Sequence, residues 1–483
     1  MLKALLCLAV LAAAPVAGQS TVVVMVDDAD EASFRGLING GLLPHIQSIT
    51  EEGVRFPNSF ATNPICAPSR ATYLTGRYAH NHGRLRNAGS DALDPTFVQA
   101  LQSTRYTAHV GKYLNGYAGD QVPAGWDDWR GLVDPSTYST FNYQIRRNVE
   151  TVSRGAAPAD YQTSVLGDEA SAAVSLGLAS GKPLFLSVTP LAPHIELNEI
   201  DLWTFEDGIT YSDLWRLFIR PDPRDQASKP ARWNALATLP LLPGLKPSFN
   251  QPCPDRHVQR PSLSPLDIQW LTFGYRTRML SLLAVDDLVG KVQAALGSQA
   301  TTWIFTSDNG FFLGECGTSA KMAPYEEGIR VPLYIAGPGI APGVQAALVL
   351  NTDLAATILD LAGLPADPLA DGRSLVPLLH GTVPVDWRRR ALIEHWREPG
   401  DSVFDVPDYV AVRTGPTDTY PNRLYVEWAG GPVELYDLGA DLYQLQSVSP
   451  VPGWFHDRLT ALSSCAGASC GAAEGPLLAA RPE

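Results

Sequence analysis

Three short stretches of the chain carry apolar or β-branched side chains at almost every position, namely residues 21–26, 183–188 and 303–306. Strands that are apolar on both faces are typical of a parallel sheet buried between two layers of helices. Residues 271–296 and 353–362 instead repeat their apolar side chains at helical spacing, and a glycine and a proline end the second stretch. Strands that alternate with helices predict an α/β fold, with a large, mostly parallel sheet sandwiched by helices.

The last hundred residues have a different pattern. Residues 410–413, 423–428 and 433–436 are predicted to be short strands joined by turns, which indicates a smaller C-terminal antiparallel sheet with a closing helix. We therefore expect a large α/β domain over residues 19–380 and a small α+β subdomain over residues 381–483.

Residues 221–265 contain ten prolines and almost no periodicity. We expect them to form a long irregular insertion in the large domain. Such a segment either walls a cleft or is a passive surface excursion, and the sequence favours neither interpretation.

The N-terminus has the layout of a secretory signal. Lys3 precedes an apolar run over residues 4–14, and small residues follow up to Gly18. We expect residues 1–18 to be a signal peptide and the mature protein to be secreted, into the extracellular or periplasmic space. A buried first strand or helix is the alternative. The run is too short to cross a bilayer and no other apolar stretch is as long, so no membrane span is expected.

Composition narrows the class of protein further. The chain has 483 residues, of which 45% are hydrophobic and 18% charged, which excludes an intrinsically disordered protein. The net charge of −14 argues against a nucleic-acid binder, because such proteins need a basic surface. An anionic substrate would have to be attracted by a few local cations or by a metal ion.

The cysteines fit an oxidising compartment. One of the six lies in the signal segment, so an odd number remains and one thiol needs an explanation. Cys465 and Cys470 are near enough in sequence to close a small loop, which leaves Cys253 to pair with Cys316 and Cys66 unpaired. The sequence leaves other pairings open.

Acidic residues follow two of the predicted strands. Asp27 and Asp28 come directly after the first strand, and Asp308 and Asn309 come directly after the strand at residues 303–306. Ligands bind beyond the carboxyl ends of strands in open α/β sheets, and oxygen donors without a set of His or Cys suit Ca²⁺ or Mg²⁺ rather than zinc. A solvated turn is the alternative for the first pair alone.

A longer motif surrounds the unpaired cysteine, in which Cys66-Ala-Pro-Ser-Arg is followed by Leu-Thr-Gly-Arg. Pro68 fits the first turn of a helix, so Cys66 would lie at the helix N-terminus, where backbone N–H groups favour anions. Arg70 follows one turn later and could present its planar guanidinium to a bound oxyanion. The alternative for a lone cysteine is a buried or disulfide-bonded residue.

This motif resembles the signature of the sulfatase family, in which a dedicated enzyme reads Cys-x-Pro-x-Arg and oxidises the cysteine to formylglycine. The resemblance extends from about residue 21 to about residue 445 and is similar, over residues 111–117, to the eukaryotic arylsulfatase and N-acetylglucosamine-6-sulfatase branch. Its other matches are Asp27-Asp28, Gly111-Lys112, Pro193-His194, Ser307-Asp308-Asn309-Gly310, Lys321 and residues 325–332.

The resemblance implies a role for each matching position. A bound Ca²⁺, favoured over Mg²⁺, would be held by Asp27, Asp28, Asp308 and Asn309, with modified Cys66 beside it. The sulfate would be surrounded by Arg70, Lys112, His194 and Lys321. A metal ion and fixed cations would reduce the repulsion between a nucleophile and the anionic sulfate ester and would stabilise the transition state.

The resemblance also implies a mechanism and partners. The hydrated aldehyde at position 66 would attack sulfur with one hydroxyl group and release sulfate through the other, while His194 or a lysine protonates the leaving oxygen. The expected partners are a sulfate ester, either an aryl sulfate or a sugar O-sulfate, and the formylglycine-generating enzyme during maturation. The sequence leaves the physiological ester and the oligomeric state open.

Two other functions are considered. The first is a phosphonate or phosphate ester hydrolase of the wider alkaline-phosphatase-like superfamily, and the second is a catalytically silent homologue that binds sulfated glycans. A silent homologue would lack one of the cationic or metal-binding residues, and this chain has them all. His80 is expected to have a structural or supporting role, and the role of His82 is left undecided.

Overall fold

A large mixed sheet forms the centre of the molecule. The computed structural model describes residues 18–89, 93, 95–196, 219–236, 243–258, 260–399 and 406–476. Within these residues the sheet has ten strands in the order β13-β2-β12-β9-β1-β8-β4-β5-β6-β7, and its central run from β9 to β5 is parallel. The antiparallel pairings lie towards the two edges. The expected α/β fold with a mostly parallel core is confirmed.

The strands, in chain order, are β1 (Ser20–Val26), β2 (Gly53–Arg55), β3 (Ser59–Phe60), β4 (Tyr106–Gly111), β5 (Asp128–Leu132), β6 (Gln144–Arg147), β7 (Glu150–Ser153), β8 (Leu184–Thr189), β9 (Thr301–Ser307), β10 (Phe312–Leu313), β11 (Ser319–Ala320), β12 (Leu333–Ala336), β13 (Gly343–Val344), β14 (Val349–Leu350), β15 (Arg390–His395), β16 (Tyr409–Thr414), β17 (Arg423–Trp428) and β18 (Val433–Asp437). The three predicted central strands correspond to β1, β8 and β9.

The α-helices, in chain order, are α1 (Glu31–Asn39), α2 (Pro44–Thr50), α3 (Cys66–Thr75), α4 (Ala79–His82), α5 (Phe97–Leu101), α6 (Gln162–Ala179), α7 (Asp225–Ser228), α8 (Pro230–Ala235), α9 (Pro265–Leu296), α10 (Glu326–Ile329), α11 (Asp353–Leu361), α12 (Val376–Leu379), α13 (Trp454–Ser463) and α14 (Ala468–Glu474). The two predicted helices correspond to α9 and α11. Helix α9 begins six residues earlier than its apolar pattern, because Ser264 and Asp267 form a capping box around Pro265.

Helices cover both faces of the sheet. Alternate side chains of β1 point to opposite sides, so Val22 and Val24 pack against helices α1, α2, α6 and α9, whereas Val23 and Met25 pack against helices α3, α5, α11 and α12. Both faces of the sheet are therefore shielded from solvent at β1, which explains why this strand is apolar at almost every position.

The C-terminal part forms a second, antiparallel sheet in the order β15-β16-β17-β18, with α13 packed on it. This confirms the expected smaller sheet with a closing helix. Its core is shared with the large domain, since Phe60, Tyr78 and Phe312 belong to the same hydrophobic cluster as β16 and β17. The boundary at residue 380 stays a prediction.

Two disulfide bonds join the pairs that the sequence favoured, Cys253 with Cys316 and Cys465 with Cys470. Cys66 is a free thiol. The proposed signal peptide lies outside the described residues, apart from Gly18, and the proline-rich insertion lies partly outside them. No helix among the described residues is long and apolar enough to cross a membrane.

The register of the central strands brings the predicted site residues to one edge of the sheet. Val26 of β1 pairs with Ser307 of β9, so Asp27 and Asp308 leave their strands side by side. Gly111 of β4 pairs with Thr189 of β8, which brings Lys112 to the same edge.

Candidate functional site

Cys66 is the first residue of α3, and its side chain is completely buried at this edge of the sheet. The preceding Ile65 provides no side-chain cap. Instead, Asn87 Oδ1 accepts a hydrogen bond from the backbone N–H of Ala67, at 2.9 Å. The N-terminal end of a helix favours negative charge, so the thiol lies in a position suited to an anion.

Three buried carboxylates surround this thiol, and each is paired with a cation. The pairs are Lys112 Nζ with Asp27 Oδ2 at 2.5 Å, Lys321 Nζ with Asp28 Oδ1 at 2.6 Å, and Arg70 Nε with Asp308 Oδ2 at 2.8 Å. The Sγ atom of Cys66 lies 2.7 Å from Lys321 Nζ and 3.6 Å from Asp27 Oδ1. The side chain of Cys66 is therefore surrounded by alternating positive and negative groups.

The local backbone is shaped to bring these groups together. Gly111 adopts a φ of +118°, and a Cβ atom there would lie 2.2 Å from the carbonyl oxygen of Thr189. Only glycine fits, and it lets the Lys112 N–H donate to that same oxygen at 2.8 Å. Asp28 has a φ of +67°, in the left-handed region that is rare for residues with a side chain. Unusual backbone of this kind is concentrated at functional sites.

Burial and charge set the protonation of the site. Burial raises the pKa of the Cys66 thiol to about 12, although Lys112 and Lys321 favour the thiolate. Burial acts in the same direction on Asp27, but Lys112, His194 and Arg70 outweigh it and hold the pKa of Asp27 well below its usual range. Burial and the nearby Asp27 raise the pKa of Asp308 to about 6. One carboxylate is thus held firmly ionised while the cysteine stays a neutral thiol.

His194 completes the cluster from the loop after β8. Its Nδ1 donates to the carbonyl oxygen of Ile195 at 2.6 Å, and its Nε2 lies 3.5 Å from Asp28 Oδ2. Burial lowers the pKa of His194 to about 4, although Asp28 opposes this shift. The bond at Nδ1 fixes the ring so that Nε2 faces the site.

Two oxygen atoms in the cluster have no hydrogen-bond partner among the described residues. They are Oδ2 of Asp28 and Oδ1 of Asn309, and both are buried. Asn309 Nδ2 donates to Asp28 Oδ1 at 2.6 Å, so its oxygen is turned away from that bond. Buried oxygens without donors are costly in a protein, and a bound cation would satisfy them. Asp27, Asp28, Cys66 and His194 also place ligand atoms within 4.8 Å of one another.

The structure brings all nine predicted site residues into one cluster. Asp308 lies slightly apart from the four residues that are close enough to share an ion, because its carboxylate bonds to Arg70 and accepts from the backbone N–H groups of Asp28 and Asn309. Among the described residues it is therefore a bridge between the acids after β1 and the cation on α3.

Comparison with known proteins decides the family. The family model described as Sulfatase matches residues 19–364, and a model described as N-sulphoglucosamine sulphohydrolase, C-terminal, matches residues 314–454. The chain belongs to the sulfatase family, and it is an enzyme. It is 31% identical to the N-acetylglucosamine-6-sulfatase of Capra hircus, over 93% of this chain and 84% of the relative. It is 30% identical to an arylsulfatase of Volvox carteri, over 93% of this chain and 75% of the relative.

Solved structures share the fold of this sulfatase. One, described as a complex with its substrate D-glucosamine-2-N,6-O-disulfate, superposes with a TM-score of 0.69 at 22% identity and covers 92% of this chain and 96% of its own. A phosphonate monoester hydrolase from Silicibacter pomeroyi superposes with a TM-score of 0.63 at 23% identity, over 92% of this chain and 94% of its own. At this identity, the likeness concerns the fold alone.

Two histidines after α3 form hydrogen bonds near the sulfatase site. His80 Nδ1 is 2.8 Å from Glu394, and its Nε2 is 2.9 Å from the carbonyl oxygen of Cys465. His82 Nε2 lies 3.1 Å from Thr72 Oγ1 of α3, and its Nδ1 accepts from the N–H of Arg84. Both rings make contacts with the surrounding structure. The structural or supporting role of His80 stays a prediction, and the role of His82 stays undecided.

Sequence reasoning missed three residues that contact the cluster. Asn87 caps α3, and Tyr138 lies with its ring 5.2 Å from that of His194 and 4.8 Å from Lys112 Nζ. Arg278 of α9 donates to the backbone behind Asp28. Arg278 had one visible signal, since it is an arginine within an apolar helix. Asn87 and Tyr138 stand in no motif, so the sequence alone gave no sign of them.

Proposed function

We propose that this sulfatase hydrolyses sulfate monoesters, either aryl sulfates or sugar O-sulfates, at a formylglycine derived from Cys66 and beside a bound Ca²⁺. The observation that carries the proposal is the position of the Cys66 side chain, fully buried between Lys321 and Asp27. With a pKa of about 12, the unmodified thiol is protonated at neutral pH and is a poor nucleophile. This position therefore needs another reactive group.

An aldehyde at position 66 would provide that group. Once hydrated, it supplies two hydroxyl groups on one carbon, one to attack sulfur and one whose deprotonation expels the sulfate and restores the aldehyde. A serine at the same position would have no second hydroxyl group and would keep the sulfate as an ester. Modification of Cys66 by a formylglycine-generating enzyme is thus part of the proposal.

The donor set suits a hard cation. Asp27, Asp28, Asp308 and Asn309 would hold Ca²⁺, because they offer only oxygen atoms and two of these have no hydrogen-bond donor. Ca²⁺ is favoured over Mg²⁺, which prefers to retain several water ligands. When bound, the ion would act as a Lewis acid that favours the ionised nucleophile and draws electron density from the sulfate oxygens.

The three cations would hold the sulfate group. Arg70, Lys112 and Lys321 converge on the Cys66 side chain. Arg70 and Lys112 are buried and Lys321 is 10% exposed, so their charges act in a medium of low polarity. Fixed positive donors stabilise the negative charge that develops on the sulfate oxygens without having to reorganise. They would also orient the ester so that the leaving oxygen points away from position 66.

His194 would supply the proton to the leaving oxygen. Burial keeps the His194 ring neutral, and its Nδ1–H donates to the carbonyl oxygen of Ile195, so Nε2 carries no proton before the substrate binds. Nε2 would take up a proton from solvent when the sulfate ester binds, because the negative charge of the ester favours the imidazolium, and would then pass it to the leaving oxygen. General acid catalysis needs such a group within hydrogen-bond reach of the departing atom. Lys112 or Lys321 is the other candidate for this step, because both reach the same cluster.

We further propose that the protein is exported. The pattern of residues 1–18 and the two disulfide bonds among the described residues support this location. Formylglycine formation during export would also account for Cys66, the one cysteine in the described part of the chain that has no disulfide partner.

A phosphonate or phosphate ester hydrolase remains the alternative reaction. The fold shared with a phosphonate monoester hydrolase keeps it open, whereas the Cys-Ala-Pro-Ser-Arg motif and a ligand set suited to one metal ion favour sulfate. The silent-homologue alternative is not favoured, because Arg70, Lys112 and Lys321 are all present and paired within the cluster.

Two measurements test the proposal. Mass spectrometry of the peptide that contains Cys66, from protein made in a host that forms formylglycine, should find an aldehyde in place of the thiol. A panel of para-nitrophenyl sulfate, a sugar 6-O-sulfate and para-nitrophenyl phenylphosphonate should give turnover of at least one sulfate ester, lost with a chelator and regained with Ca²⁺. Cys66→Ala is the inactive control.

Three results would contradict the proposal. A fully retained thiol in active protein would show that catalysis does not use formylglycine. Turnover that a chelator leaves unchanged would show that catalysis does not need the metal ion. Phosphonate turnover well above that of every sulfate ester would favour the alternative reaction.

A further inference from the structure

Arg278 of α9 is a buried arginine next to the site, and nothing in the sulfatase motif includes it. Only 1% of its surface is exposed, and no carboxylate among the described residues lies within ion-pair distance of its guanidinium. Burial outweighs the attraction of Asp28, Asp30 and Asp27 and lowers the pKa of Arg278. A buried charge with no directly bonded carboxylate costs free energy, so the groups that do bond to Arg278 are of interest.

The contacts of Arg278 link three loops of the site. Its Nη1 donates to the carbonyl oxygen of Pro193 at 2.7 Å, and its Nη2 donates to the carbonyl oxygen of Asp28. Its guanidinium also lies 4.0 Å above the ring of Phe311. Asp28 follows β1, Pro193 follows β8 and Phe311 follows β9, and these strands carry the acids and the histidine of the cluster.

Two of these contacts lie where small shifts matter. Pro193 directly precedes His194, and Asp28 is the carboxylate that His194 Nε2 faces at 3.5 Å. Asp28 also holds a left-handed backbone conformation, which needs support from its surroundings. One planar guanidinium therefore fixes both the peptide of Asp28 and the loop that carries His194.

We propose that Arg278 is a positioning residue, which sets the orientation of the Asp28 carboxylate towards the cation and the separation between Asp28 and His194. The inference rests on the proposed function, because it assigns Arg278 a part in Ca²⁺ binding and in proton transfer by His194. In this role Arg278 acts through the backbone carbonyl groups of Asp28 and Pro193.

Arg256 provides a matched control. It is also 1% exposed, donates to two backbone carbonyl oxygens, those of Tyr443 and Gln444, and lies 4.1 Å above the ring of Tyr325. It lies outside the cluster, and its contacts match those of Arg278 except that Glu327 Oε2 lies 3.9 Å from its Nη2. Arg256→Gln therefore removes at least as many contacts as Arg278→Gln. Arg278→Gln and Arg256→Gln should therefore disturb the fold in similar ways and the site in different ways.

The experiment measures Ca²⁺ affinity of the metal-free protein by isothermal titration calorimetry, and kcat and KM on an aryl sulfate. Arg278→Gln should weaken the Ca²⁺ Kd by about 10- to 100-fold, as loss of a residue that supports a metal ligand does. It should also lower kcat by about tenfold or more with little change in KM, because the alignment of His194 matters mainly in the transition state. Arg278→Lys should recover part of both, and Arg256→Gln should leave both within about twofold of the parent.

Equal Ca²⁺ affinities and kcat values in Arg278→Gln and Arg256→Gln would overturn the inference and leave Arg278 a packing residue. If Arg278→Gln does not fold, the Ca²⁺ affinity and kcat are measured for Arg278→Lys and Phe311→Leu instead. Phe311→Leu keeps the arginine but removes the aromatic ring below it. The parent enzyme separates the two proposals. If it binds no Ca²⁺, the proposed function fails, and the positioning role is then decided by kcat alone.

Discussion

The charged side chains of the sulfatase site balance one another in pairs inside the protein. Lys112, Lys321 and Arg70 each contact one of the three buried carboxylates. A buried charge that loses its partner is strongly unfavourable, so each of these residues affects both folding and chemistry. An experiment on one of them must separate the two effects.

Lys321→Met is expected to reduce kcat/KM for a sulfate ester by about 10²- to 10³-fold, because one fixed positive donor to the sulfate group is lost. Methionine keeps most of the length of lysine, and the secondary structure should be retained. Steady-state kinetics with circular dichroism measures both.

Lys246→Met is the control for this change. Lys246, which is partly exposed, pairs with the buried Glu315 at 2.5 Å, outside the cluster. The Lys246→Met variant should lose about as much stability as Lys321→Met and should keep the kcat/KM of the parent enzyme. Near-parent turnover in Lys321→Met would contradict the role assigned to Lys321.

Sequence patterns reveal site residues when neighbours in the chain share the chemistry. Asp27 with Asp28, Asp308 with Asn309, and the motif after Cys66 were visible for this reason, and the structure brings them together. Arg278 and Tyr138 reach the site through tertiary contacts from α9 and from the loop after β5. Neither residue belongs to a motif with the acids or with Cys66, so the fold is needed to show that it reaches the site.

At the scale of elements, one buried carboxylate links a helix of the large domain to the C-terminal sheet. Glu326 of α10 accepts from Arg413 Nε of β16 at 2.6 Å and from Arg330 Nε at 2.6 Å. Burial would raise the pKa of Glu326, but these two arginines outweigh it and lower the pKa to about 2. The ionised form therefore stabilises the contact between the C-terminal sheet and the large domain.

Glu326→Gln is expected to lower the free energy of unfolding by about 3 kcal/mol at pH 7, the value of a pKa shift of this size. The folded pKa lies below the unfolded one, so the contribution is complete above the unfolded pKa and is lost as the pH falls towards about 2. The difference between parent and variant should thus fall to less than half at about pH 3. Urea unfolding at both pH values measures it.

Glu427→Gln is the matched control, since Glu427 pairs with the exposed His456 at 2.7 Å. Surface pairs of this kind contribute about 0–1 kcal/mol, so this variant should remain close to the parent at both pH values. A difference between parent and Glu326→Gln that does not change with pH would contradict the ionic role of Glu326.

The elements that the sequence predicted are those with apolar side chains on all sides or at helical spacing, such as β1, β9 and α9. Strands β4 and β15 were missed because they contain buried polar residues. His109 of β4 stacks on Trp129 at 4.5 Å, and Glu394 of β15 pairs with His80. Their partners lie far along the chain, so local pattern underestimates how well these strands are buried.

At the scale of the whole molecule, the two disulfide bonds constrain very different lengths of chain. Cys253–Cys316 spans 63 residues and Cys465–Cys470 spans five. The longer loop also fastens the segment around residue 250 to the loop after β10, where Cys316 N–H donates to Ser248 O at 2.7 Å.

Replacing both cysteines of a pair by alanine should therefore cost about 4 kcal/mol for Cys253–Cys316 and about 2 kcal/mol for Cys465–Cys470, because a longer loop restricts the unfolded chain more. Urea unfolding of the two double variants, each with Cys66 intact, measures the difference. An equal loss in both would mean that contacts in the folded state, rather than loop length, dominate.

Because β1 lies between β8 and β9, the centre of the large sheet forms late during translation. Residues 20–26 leave the ribosome early, but their two neighbours in the sheet end at residues 189 and 307. The centre of the sheet can close only after most of the chain has been made, and pairings between such distant segments form slowly. Until then the segment around Cys66 has no finished sheet to bury it. Under the formylglycine proposal, this delay is the interval in which a modifying enzyme can still reach a side chain that the folded protein encloses completely.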